Sequence, residues 1–357
     1  MNPFEKVGDA FKLSPYVISH LKYKFFGKKK VGMESKTKNR KSSEQVSKMV
    51  ERAFPGLTLA NGDDALIELK DGWFNAAYNV RLSNGREVIL KIAPPKGAEI
   101  MTYEKSIMTT EVGSMRMVAA NPAIPVPEIY YYDTAHDLND SDYFFMEKLS
   151  GKNYDHVKKD LPKEMLTHID TQIGGIIREI NQYTGTYFGY EGNPELRADN
   201  WRDAFIKIVD SILEDGRRKN AEYKYSIDEI HNAVVKHAKA LEGVTTPHLV
   251  HWDAWDPNFF VKDGQISGIL DFERALWADP LMEAQFRVLA FAGVSDSLRG
   301  YGKTEFTHEE DERNHLYTLH LALVMKTEDY YRHYDTDEVS NMAMMMLVPA
   351  MMWLKEN

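Results

Sequence analysis

PHLVHWDAWDPNFFVKDGQISGILDFERALWADP, residues 247–280, is the stretch on which the reading of this chain turns. Three short β-type runs, LVH, FFV and ISGILDF, alternate here with polar residues, inside a C-terminal region whose pattern is otherwise helical. Asp253 and Asn258 stand in a loop between two of these runs, and Asp271 ends the strand that follows the turn KDGQ. Two carboxylates and an amide oxygen converging on one point suit a hard cation such as magnesium, which takes one or two carboxylates together with substrate phosphates. Phosphoryl transfer needs such a site, because its catalysis is mainly positioning and charge neutralisation. One Asp is then left to orient an attacking hydroxyl. Taken alone, the trio also reads as turn residues satisfying backbone amides. His248, His251 and Asp253 offer a hydrolase-type metal triad as a further alternative, although on a strand positions 248 and 251 point to opposite faces.

Outward from the island, helical periodicity predicts helices over 163–183, 199–218, 226–241, 280–292, 308–334 and 336–354, the last kinked or broken at Pro349. Upstream, ALIELKDG, AAYNVRLSNG and REVILKIAPP read as three antiparallel strands, with SNG as the hairpin turn between the last two. Residues 98–121 follow as one helix ending before Pro122, and IPVPEIYYYD and DYFFMEKLSG return to strand character. The expected division is an N-terminal helical and basic extension over 1–50, a strand-rich unit over 51–149 and a helical unit over 150–357. In the extension, Phe4, Val7, Phe11, Val17 and Leu21 are spaced loosely like one helical face, ahead of the basic stretch Lys22 to Lys41.

The 357 residues are 43% hydrophobic and contain no cysteine, which excludes general disorder, disulfides, thiolate metal sites and a cysteine nucleophile. No run of about 18 apolar residues marks a membrane span, and no signal peptide is evident, so a cytoplasmic protein is expected. The net charge of −10 hides a split. Residues 1–50 hold 12 Lys+Arg against 4 Asp+Glu, leaving −18 on the remainder. Such an acidic body disfavours nucleic acid and favours cationic partners.

HWDAWDPN and ILDFE resemble the HxDxxxxN catalytic loop and the metal-binding segment of the aminoglycoside phosphotransferase and choline kinase family, whose fold is protein-kinase-like. The order of strand-rich region, hinge, helical region, catalytic loop and metal strand agrees over about residues 60–340. That resemblance implies an α+β, bilobal fold with a small strand-rich N-terminal lobe and a larger, mainly helical C-terminal lobe. It implies an ATP- and magnesium-dependent kinase acting on a small-molecule acceptor, with Asp253 as the catalytic carboxylate and Asn258 and Asp271 as metal ligands. His251 then supports the loop. Where the family most often has glycine after the histidine, this chain has Trp252, and Trp255 sits two after the Asp; both are expected to pack under the loop or to narrow the acceptor pocket.

On the nucleotide side, the resemblance implies Lys91 as the phosphate-binding lysine and Glu111 as its ion-pair partner, with Glu104, two turns earlier, as the rival. Asn75 becomes the side-chain contact of the loop LKDGWFNAAYN, whose one glycine is Gly72. FFMEKLSG becomes the hinge, with Met146 behind the base and the backbones of Glu147 and Leu149 offered to its edge; main-chain contacts of this kind suit ATP and GTP alike. A silent pseudokinase is the alternative, as is a kinase of a neutral sugar. The acidic body, the clusters at 309–312 and 335–338, and Glu273 favour a cationic acceptor, an aminoglycoside or amino alcohol. Asp279 is read as a helix cap, the methionines from 342 to 352 as core of a terminal helix, and His315 and His320 as unrelated to metal. A monomer or weak dimer is expected.

Overall fold

The computed structural model describes residues 38–70, 74–287, 289, 293–334 and 336–357. The N-terminal helical stretch expected before residue 22 lies outside them. Helix α1 (Ser43–Ala53) opens on a capping box made by Ser42 and Gln45. Strands β1 (Leu66–Leu69), β2 (Ala76–Arg81) and β3 (Glu87–Ile92) follow. Helix α2 (Ile107–Val118) then leads to β4 (Ile129–Asp133) and β5 (Tyr143–Glu147). The five strands form one antiparallel sheet in the order β1-β2-β3-β5-β4. Gly85, at φ +85, makes the turn between β2 and β3 that SNG predicts.

Strand alternation decides what each face of this sheet carries. Val88, Leu90 and Ile92 of β3, with Tyr143 and Phe145 of β5, pack with Val46, Met49 and Val50 of α1. The intervening residues Ile89, Phe144 and Met146 turn to the other side, toward Val112 and Met115 of α2. Lys91 shares that second side, so its ammonium is aimed between the sheet and the rest of the chain.

The helix expected over 98–121 is in fact two pieces. Thr102–Glu104 form a 3₁₀ turn, and α2 starts only after Ser106, whose φ of +52 breaks the helical path. Beyond the sheet run β6 (Lys152–Asn153), α3 (Lys163–Ile180), β7 (Gly189–Tyr190), α4 (Trp201–Arg218) and α5 (Ile227–His237). The island resolves into β8 (His248–Val250), β9 (Phe259–Lys262), β10 (Gln265–Ile269) and β11 (Leu276–Ala278). These make two small antiparallel sheets, β10-β9-β6 and β7-β11-β8. After it come α6 (Ala284–Arg287), α7 (Asp296–Tyr301), α8 (His308–Arg332) and α9 (Glu338–Glu356). The expected helix from 280 begins instead with a 3₁₀ turn, Pro280–Met282, capped by Asp279 through Leu281 N–H. Helix α9 runs on through Pro349 rather than breaking there. Met346 and Met351 are buried in the main helical core, whereas Met345 and Met352 are exposed.

Two glycines allow α3 and α7 to touch. A Cβ on Gly174 would lie 1.8 Å from the Ser297 carbonyl oxygen, and one on Gly300 would lie 2.0 Å from that of Thr171. This approach places Tyr301 so that its hydroxyl donates to Asn181 Oδ1 at 3.0 Å, at the end of α3. Gly174→Ala forces the two backbones apart and is expected to destabilise the protein by about 1–3 kcal/mol. Urea denaturation monitored by circular dichroism measures it, and an unchanged midpoint contradicts this packing.

Candidate active site

The loop after β8 is anchored from beneath. His251 is fully buried, and its Nε2–H donates to the Leu270 carbonyl at 2.9 Å, joining the loop to the end of β10. Burial pushes its pKa down to about 4, so the ring is neutral. Glu283 accepts the backbone N–H groups of His251 at 2.8 Å and Trp252 at 3.1 Å, and the Asn181 amide at 2.9 Å. Trp252 adopts φ +70, a conformation natural to glycine and costly, by about 1–2 kcal/mol, for a bulky side chain. It is held there at both ends, since Glu283 takes its N–H and Arg287 Nη2 donates to its carbonyl. The Arg287 guanidinium also lies 3.9 Å from the centre of the Trp252 ring. Trp252 therefore packs under the loop.

Asp253 follows, partly buried. Burial pushes its pKa up, Arg274 and Arg287 oppose that rise, and Asp271 and Glu328 add to it. Asn258 Nδ2 donates to the Asp253 carbonyl at 2.7 Å, and the Asn258 carbonyl accepts Leu270 N–H at 2.9 Å. Asp271, at φ +70, turns its carboxylate to Lys91 while remaining about a third exposed, at 32%. Asp253, Asn258 and Asp271 are thus drawn to one end of the island's strands.

Across from them, Lys91 Nζ donates to both oxygens of Glu111, at 2.8 and 2.7 Å, to Asp271 at 2.7 Å and to Glu273 at 3.2 Å. Burial alone would lower the Lys91 pKa, but the carboxylates of Asp271, Glu111 and Glu273 outweigh it and hold it well above the usual lysine range. Glu104 is not its partner; that carboxylate takes Arg332 and the N–H of Met101. Asn75 Nδ2 donates to Glu273 at 2.7 Å, and its Oδ1 is buried without a partner. Glu273, expected on the acceptor side, is on the lysine side. Burial, and then the charge of Asp271, push its pKa up to about 8.

At the segment expected to be a hinge, Met146 is buried and pairs in register with Ile89 of β3 and Ile129 of β4. Glu147 N–H is taken by the Glu128 carbonyl at 2.9 Å. Leu149 packs over Gly268 of β10, where a Cβ would lie 2.2 Å from its methyl carbon. Gly72 lies outside the described residues. His248 Nδ1 contacts the Asn181 carbonyl at 2.6 Å, so His248 and His251 are each committed to a backbone oxygen and form no triad with Asp253.

Glu283, Arg287 and Arg274 were not legible as site residues. Arg274 Nη2 pairs with Glu328 of α8 at 2.7 Å, and Tyr103 OH donates to the same carboxylate at 2.5 Å. Nothing in their local spacing distinguishes these residues from surface charges.

The sequence profile of the phosphotransferase enzyme family matches residues 65–305. This chain belongs to that family. Among solved structures, this family member is similar to aminoglycoside phosphotransferase APH(4)-Ia in complex with ADP and hygromycin B, at 16% identity and TM-score 0.60, covering 86% of this chain and 98% of that one. It is also similar to APH(2")-IIa in a ternary complex with streptomycin and ATP, at 12% identity and TM-score 0.56, covering 89% and 97%. A protein assigned as a fructosamine-3-kinase from Thermobifida fusca matches at 15% identity and TM-score 0.63, covering 87% and 99%. These likenesses establish the protein-kinase-like fold. Two curated relatives, subtelomeric hrmA-associated cluster proteins of Aspergillus fumigatus, are 28% identical over 125 residues, 35% of this chain. The match spans 24% of their length. The family is one of phosphotransferase enzymes. No helix among the described residues is long and apolar enough to cross a membrane.

Burial also lowers the pKa of His320 to about 3 and of His315 to about 4. With His251, these rings stay neutral in the folded protein while the unfolded chain takes up protons below about 6.5. The stability they contribute is present above pH 6.5 and lost as pH falls toward 4, by about 1.4 kcal/mol per ring for each tenfold difference in proton affinity between the unfolded and folded chain. Urea midpoints at pH 7.5, 6 and 5 should fall steadily. The fall should be shallower in His320→Leu, and an equal slope in the variant contradicts the account.

Proposed function

We propose that the protein transfers the γ-phosphoryl group of ATP, with magnesium, to the hydroxyl of a small-molecule acceptor. The observation that carries this reading is Lys91, whose ammonium bonds Glu111 and Asp271 at once. It joins a cation suited to nucleotide phosphates to a carboxylate suited to a metal. The donor set fits a hard cation: Asp271 is partly open, and Asn258 spends its amide nitrogen on the Asp253 carbonyl, leaving Oδ1 as an oxygen donor. When bound, magnesium–ATP supplies the phosphoryl group and the neutralising charge for its transfer.

In this reading Asp253 accepts the acceptor's hydroxyl proton as that oxygen bonds to phosphorus and the bond to ADP breaks. Its raised pKa favours the proton transfer. Lys91, steadied by Glu111, holds the phosphates, and must exchange its bond to Glu273 for them. Asn75, now on Glu273, becomes available to the phosphates in the same exchange. Met146, with the main chain of Glu147 and Leu149, receives the base. A silent pseudokinase is disfavoured, since Lys91, Glu111, Asp253, Asn258 and Asp271 are all present.

Asp253→Ala should lower turnover by about 10²–10⁴-fold with ATP affinity nearly kept. A coupled ADP-release assay beside nucleotide titration tests this, and near-normal turnover removes Asp253 from the reaction. Asp271→Asn should abolish the extra thermal stabilisation that magnesium adds to ATP; equal shifts in variant and wild type would count against a metal ligand at this position.

A further inference from the structure

We propose that the acceptor carries an anionic group, a carboxylate or a phosphate, received beside Asp253 by Arg274. The proposal rests on the kinase reading of the same site and names its substrate class. Arg274 follows Asp271 and Glu273 on the segment leaving β10. Its guanidinium lies 5.2 Å from the centre of the Trp252 ring and 5.6 Å from that of Tyr103. Two aromatic faces therefore hold a cation at the catalytic loop, and the cation is the protein's own.

The acids nearby are already used. Glu328 takes Arg274 and Tyr103, and Glu104 takes Arg332 and Met101 N–H. Within the 309–312 cluster, Glu310 caps α8 and pairs with Lys303, and Glu312 bonds His237. An arriving ammonium group would meet the fixed guanidinium charge of Arg274 at the Trp252 ring face.

Several hydrogen-bond donors in this region lack an acceptor. Arg274 Nε, Arg287 Nε and Nη1, Arg332 Nη1 and Trp252 Nε1 are all buried without an acceptor. Unmatched buried donors are costly, and those on charged groups most so. Arg274 is the member of the group that a ligand can reach, its side chain being 17% exposed. An oxygen-rich anion supplies acceptors to the open part of the Arg274 guanidinium, a group that binds such anions through charge-assisted hydrogen bonds.

The test compares four ligands on one hexose scaffold: gluconate, glucose 6-phosphate, glucose and glucosamine. Each is titrated calorimetrically into the full chain loaded with magnesium and a non-hydrolysable ATP analogue, which keeps the anions out of the γ-phosphate position. At least one anion should bind about tenfold or more tightly than glucose, with glucosamine the weakest; gluconate against glucose 6-phosphate tells carboxylate from phosphate. Arg274→Gln should erase the preference and Arg274→Lys should restore part of it, with thermal melts verifying that both variants fold. The proposal is overturned if glucosamine or glucose binds as well as the anions, if neither anion binds at tens of millimolar, or if the preference survives in Arg274→Gln. Failure of the kinase reading is separate: it shows as no ADP release from magnesium–ATP with any acceptor, whatever the binding preference.

Discussion

One ammonium group holds the site together. Lys91 comes from β3, Glu111 from α2, and Asp271 and Glu273 from the segment after β10, so three separate parts of the chain meet on a single positive charge. Like charges about 4 Å apart repel by about 4 kcal/mol even at an effective dielectric constant of 20. Three carboxylates, two of them buried, therefore need a counter-charge to share this space ionised. Burial, and then the charge of Asp271, raises the pKa of Glu111 and Glu273, while Lys91 outweighs burial at Asp271 and keeps it low. In the proposed kinase reading, nucleotide phosphates compete for the same ammonium.

The loop after β8 obeys a second constraint, that of backbone satisfaction. Its course puts Trp252 at positive φ and directs successive N–H groups into the interior, where each needs an acceptor. Glu283 supplies one carboxylate for both, and Asn181, itself held by the Tyr301 hydroxyl, fixes that carboxylate from behind. Arg287 completes the support through the Trp252 carbonyl and ring face. Placing tryptophan where glycine would be free of strain makes sense in this setting: the indole is the surface against which Arg287 and Arg274 are held. Strain at the loop is thereby coupled to the placement of Arg274 and Arg287.

Much of the architecture was legible in sequence because it depends on periodicity. Alternation in EVILKI separates Lys91 from Val88, Leu90 and Ile92 whatever the fold, and the apolar spacing of α3 to α5 survives within a few residues at each end. The misreadings have local causes that periodicity does not register. Ser106 adopts φ +52 between two stretches that share one helical pattern, and the segment after Asp279 starts as a 3₁₀ turn around Pro280. Pro349, a strong breaker in isolation, is tolerated inside α9, where Met346, Leu347, Ala350 and Met351 on either side are buried in the core.

The sequence by itself determined the kinds of chemistry and their order along the chain: a lysine centred in a strand, the HWDAWDPN loop, and an aspartate ending the next strand, with no cysteine to offer another route. Only the tertiary structure decided partners. Glu104 and Glu111 are both acids on one predicted helix, and the break at Ser106 sends the first to Arg332 and the second to Lys91. Glu273, two residues from Asp271, was equally free to face either side until folding gave it Asn75 and Lys91. The arginines at 274 and 287 look like surface charges in a linear reading, yet both end at the loop after β8, against Trp252. The physical reason is common to all: a residue's type and spacing set its local conformation, but burial and pairing of charge depend on which distant segments arrive at the same point.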